Sequence, residues 1–278
     1  MRVPVSFDPG AALGLALVVG LYLGGVRSLA GKGRQWPLSR NLAFGGGVLL
    51  VAVATQSGLA GLEEELFSAH VAQHVLLGMA APMLLMLGAP VTLALQATGA
   101  STSRSVRKVV HGRFVATATH PAVAGIVFGA SMFALYLTPL FELSLRQRAV
   151  HVAVHIHFVV VGCGFFWGIL GVDGGRGRLP HGARILVVLL LVPFHAVLGI
   201  AILTTKELLA GGWYGRLPGT SGALALADQQ FGGGLLWITG DLLGLVAAGI
   251  VLAQWMRHDE RQAGRDDRRL SGQTVVPT

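Results

Sequence analysis

A 278-residue chain that is 53% hydrophobic and only 12% charged, with a mean hydropathy of +0.66, is too apolar for a water-soluble domain and reads as a polytopic membrane protein. Its net charge of +8 sits between apolar runs rather than on a nucleic-acid-binding fold, which argues against a nucleic-acid partner. The single cysteine, Cys163, lies inside an apolar run, so neither an intrachain disulfide nor a paired-cysteine metal motif can form.

Taken in order, the hydropathy pattern predicts an all-α bundle of seven transmembrane spans, at 9–27, 39–60, 66–88, 120–140, 148–170, 182–205 and 230–256, in one domain covering 1–256. The first apolar run lacks a basic leader and a cleavage motif and reads as an uncleaved span. The longest linker, 99–119, is rich in Ser, Thr, Arg and Lys, and 257–278 forms a polar tail expected to be disordered. Sixteen of the 21 Lys and Arg follow spans one, three, five and seven. That asymmetry puts the N-terminus outside and the C-terminus in the cytoplasm.

This orientation brings several polar residues to one depth, near the outer face. His70 and His74 open span three, and His151 and His155 open span five. Residues four apart on a helix point the same way, about 40° apart, so each pair presents two rings to one neighbour. Two such pairs suit a metal ion such as copper, or a haem if the rings face one another. The bland alternative is that each imidazole bonds a backbone carbonyl across helices. His195, which follows Pro193 in span six, reads equally as a ligand, a proton relay or a structural group. Asp228, at the start of span seven, reads equally as a ligand or a helix cap. Glu63, Glu64 and Glu65 lie on the outer loop leading into span three, His157 points away from His155 and reads as structural, and Asp241 lies deeper and needs a partner. Met79 falls about 180° around the helix from His70, so the methionines read as packing. None of Lys32, Lys108 and Lys206 lies deep in a span, which removes a retinal-binding reading.

FDPG at Phe7–Gly10, HVAQHVLLGMAAPMLLMLGAP at His70–Pro90, His120–Pro121, the His151–His155–Phe158 spacing with Phe165–Trp167, and DQQFGGGLLW at Asp228–Trp237 together resemble the bacterial CtaG-like cytochrome c oxidase assembly factors. The resemblance covers nearly the whole chain. It implies a multi-pass protein of the bacterial plasma membrane, required for an active caa-type oxidase and handling copper during oxidase maturation. On that reading the protein is not an enzyme. It takes Cu(I) at His70, His74, His151, His155, His195 and Asp228 and hands it to the oxidase catalytic subunit. A b-type haem protein carrying electrons, or a copper permease, are the alternatives.

Overall fold

The computed structural model describes residues 7–173 and 179–273, with the side chains of the last helix described as far as Arg265. Among these residues every regular element is helical. Helix α1 (Pro9–Ala30) starts where Asp8 caps it, the carboxylate accepting the Ala11 N–H at 3.0 Å. Asp8 and Gln56 then exchange two hydrogen bonds, of 3.1 and 3.0 Å, which tie α1 to the end of α2 (Leu38–Gln56). A short α3 (Gly58–Leu62) follows, and Glu63 caps its end.

The third span is built from α4 (Phe67–Val75), a π turn (Leu76–Ala80) and α5 (Ala81–Leu87). Pro82 has no N–H to give to the Gly78 carbonyl, and the Ala81 N–H reaches back five residues to Leu76. The freed Gly78 carbonyl is what the fifth span packs against, because Gly162 lies directly on it. Beyond Gly88 the chain turns a corner at Ala89, a buried residue in the left-handed region at φ 51°. Helix α6 (Pro90–Ala97) follows. Ala89 has no side chain with which to cap it, so Asp173 does so from the end of the fifth span, accepting the N–H groups of Val91 and Thr92 at 3.1 and 2.7 Å. Asp173→Ala is expected to destabilise the protein by about 1–2 kcal/mol, read as a lower unfolding temperature in detergent with metal content unchanged.

Three features depart from the expected spans. The linker after span three folds as α7 (Ala100–Val110) and α8 (Arg113–Ala118). The fourth span breaks into α9 (Pro121–Leu137) and α10 (Leu140–Arg146), bent by 71°. Pro139 forces this break, since it disfavours the helical region for Thr138, which is extended at φ −125°, ψ 169°. After α11 (Arg148–Leu170) and α12 (His181–Thr204), two 3₁₀ turns (Ala210–Gly212 and Tyr214–Arg216) lead into α13 (Gly222–Gln273). Helix α13 continues through most of the stretch expected as a disordered tail, which has no proline before 274 and is rich in helix-forming Arg and Gln; residues 274–278 lie outside the described ones. Six helices are long and apolar enough to cross a membrane, or seven if the bent α9–α10 pair is one span.

Candidate metal centre

Helix α11 packs along the π turn and α5, which carries its first half past α4. The four imidazoles meet there as a rectangle. Along α4 the ring centroids of His70 and His74 are 4.2 Å apart, and along α11 those of His151 and His155 are also 4.2 Å apart. Across the helices His70 stands 5.8 Å from His151, and His74 stands 5.3 Å from His155.

A fifth group, which the spacing does not reveal, completes the cluster. Oε2 of Glu63 lies 3.1 Å from Nε2 of His151, 3.8 Å from Nε2 of His155 and 3.9 Å from Nδ1 of His70. Glu63, His151 and His155 offer ligand atoms all within 4.8 Å of one another, close enough to hold one ion. Of the three consecutive glutamates only Glu63 is buried, whereas Glu64 and Glu65 are exposed. The end of α3 fixes it from two sides: its N–H donates to Leu59, and its carbonyl accepts the Tyr214 hydroxyl at 2.9 Å.

The rings of His70 and His74 are wholly buried, and neither nitrogen of either ring has a hydrogen-bond partner within the chain. Nε2 of His155 is also without one. Leaving a buried polar atom unpaired costs about 1–3 kcal/mol. Evolved interiors accept that cost where the atoms serve a ligand, so the donor set fits a metal that takes imidazole and carboxylate. The surroundings are aromatic. Phe141 stands 4.9 Å from His70, Phe158 stands 5.0 Å from His74, and Tyr136 stands 6.3 Å from both. The α9–α10 break is what turns Phe141 back toward the rings.

His195 and Asp228 have other partnerships. Nδ1 of His195 lies 3.3 Å from the Leu191 carbonyl, and its ring packs over Gly240 and 5.7 Å from Phe128. Asp228 accepts the Ser68 N–H at 3.2 Å and also the Ser68 hydroxyl, so it caps α4 and holds the helix that carries His70 and His74. The rest of its motif serves the same junction. Gln229 accepts the Leu209 N–H and donates to the Glu207 carbonyl. A Cβ at Gly232 would collide with Phe67 of α4, and one at Gly233 with α12. His157 faces away from the cluster and pairs with Ser131 at 2.7 Å. Met79 and Met83 are buried among Phe128, Phe165 and Phe166, apart from the imidazoles.

The model of the cytochrome c oxidase caa3 assembly factor family matches residues 20–258. The chain is 36% identical over 266 residues to uncharacterized proteins of Mycobacterium bovis and Mycobacterium tuberculosis, and 35% identical over 261 residues to one of Mycobacterium leprae. These alignments cover 92%, 92% and 91% of the chain, which spans about 40% of the length of each relative. No solved structure matches it.

Proposed function

The chain belongs to the cytochrome c oxidase caa3 assembly factor family, and from that premise we propose that it binds copper as cargo at the Glu63–histidine cluster and passes it to the oxidase catalytic subunit. The observation that carries this reading is the set of unpaired ring nitrogens on His70, His74 and His155 around one buried carboxylate. The distribution of Lys and Arg turns this end of the bundle to the outer face of the bacterial plasma membrane. The protein acts there as a carrier rather than a catalyst.

The ligand set is Glu63, His70, His74, His151 and His155. Asp228 positions α4, and His195 supports the bundle beneath. Neutral imidazoles with a single carboxylate make a charge-balanced site for Cu(I), which matters in a dry interior where net charge is expensive. Five donors exceed what one Cu(I) needs. The ion is therefore passed between overlapping subsets, Glu63–His151–His155 and His70–His74, as it enters or leaves. A haem in this place would have to displace Phe141 and Phe158, which already stand 4.9 and 5.0 Å from the rings.

The test is metal analysis and an absorption spectrum of the detergent-purified wild type after anaerobic loading with Cu(I). Roughly one copper per chain without a Soret band is expected. A Soret band, or a protein that takes neither copper nor haem, overturns the reading. Glu63→Gln keeps the shape but removes the charge, and is expected to weaken copper binding about 10- to 100-fold, measured by competition with a chelator of known affinity.

A further inference from the structure

We propose that α7 and α8 form a binding site for anionic phospholipid headgroups at the end of the bundle opposite the histidine cluster. This inference stands apart from the metal reading and needs only that the bundle lies in a bilayer. Helix α7 follows α6, beyond the third span, whose α4-to-α5 length is about 30 Å at 1.5 Å per residue.

The surface is two-sided. Arg104, Arg107, Lys108 and His111 fall within an arc of about 100° on α7 and line an open concavity of about 530 Å³. Val106 and Val110 lie on the opposite side, half-buried and buried. Val109 and Phe114 are 64% and 85% exposed, beside the cations rather than under them. No acidic residue occurs anywhere from 99 to 119 to neutralise the patch. A water-facing helix has no use for a bare phenylalanine, and a helix buried in hydrocarbon has no use for four basic groups. A bilayer surface satisfies both, with phosphates on one side and acyl chains on the other.

The neighbouring contacts hold α7 in place and extend its charge. The Ser103 hydroxyl donates to the Leu95 carbonyl at 2.8 Å, and the Thr98 hydroxyl donates to Ala94 at 2.7 Å, which fixes the α6–α7 corner. From the α1–α2 loop, Lys32 donates to the Ala97 carbonyl at 2.7 Å, and Arg34 donates to the Gln96 side chain at 3.1 Å. Two further cations are thus drawn to the foot of α6. The result is a basic rim with apolar residues exposed beside it, the pattern that selects anionic over zwitterionic lipid.

The experiment is native mass spectrometry of the intact detergent-purified chain, delipidated and then offered phosphatidylglycerol, phosphatidylcholine or inorganic phosphate. The wild type is expected to retain phosphatidylglycerol in preference to phosphatidylcholine. Arg104→Gln/Arg107→Gln/Lys108→Gln is expected to lower that retention on the order of 100-fold, from three surface cations, with an unchanged far-ultraviolet spectrum. Phe114→Ser is expected to lower it without altering any phosphate adduct. Equal retention of the two lipids, or full retention by the triple variant, overturns the proposal. Displacement of the lipid by inorganic phosphate at equal concentration also overturns it, by reducing the site to a phosphate sink. If the triple variant does not fold, salt decides on the wild type: retention that does not fall between about 0.05 and 0.5 M salt contradicts a headgroup site.

Discussion

Replacing His74 and His155 together by alanine is expected to lower copper affinity on the order of 1,000-fold or more while leaving the bundle folded. Single supporting residues of metal sites are worth about 10- to 100-fold, and these two are placed as ligands from facing helices, with ring centroids 5.3 Å apart. Stability should change little. Each alanine loses packing against Phe158 or its neighbours, but it also removes buried nitrogens that have no partner in the chain. Chelator competition reads the affinity, and circular dichroism with thermal unfolding reads the fold. A double variant that still takes up stoichiometric copper would show that the cluster is a packing arrangement.

The second large effect concerns a residue with no side chain. Gly162→Ala places a methyl group on the Gly78 carbonyl oxygen and close to Pro82. Backbone on both sides leaves no flexible side chain to yield, so α11 must move away from the third span. Overpacking of this kind costs typically 1–3 kcal/mol. Gly162 lies two turns beyond His155 on the same helix, so a displaced α11 also carries His151 and His155 away from His70 and His74. Both the unfolding temperature and copper affinity are expected to fall together. By contrast, Gly164→Ala meets no atom within 4 Å and is expected to leave both unchanged, which makes it the control. A Gly162→Ala protein with unaltered copper affinity would mean that the two histidine pairs are not held in register by this contact.

How far the sequence predicts this arrangement depends on whether the information is periodic. The His70/His74 and His151/His155 pairs sit within regular helix, where a spacing of four fixes the direction of both rings, so their sharing of one depth could be read directly. Glu63 sits at a break between α3 and α4, where no period applies. Nothing in a run of three glutamates says which one turns inward, because that choice is made by Leu59 and Tyr214. The break in the fourth span carried a local signal, Thr138–Pro139, that averaging hydropathy over a window conceals. Helix α7 carried one too, in the spacing of Arg104, Arg107, Lys108 and His111, masked by the overall polarity of its segment. The surroundings of His195 and Asp228 are tertiary facts: a cap supplied to Ser68 from 160 residues away, or a carbonyl bond inside α12, leaves no trace in local spacing.

The π turn at Leu76–Ala80 works as a gear between the two halves of the third span. It houses one residue more than an unbroken α-helix would carry through the same turn. The half above it is set by the imidazoles, and the half below by close packing of Gly47 on Ala81 and Leu85. Deleting a single residue from 76–80 would restore the α repeat and swing everything from Ala81 onward by about 100° relative to His70 and His74. The chain can thus trade substitutions freely along either half, but its count of residues between His74 and Pro82 is fixed, because that count is the angular offset between the two faces.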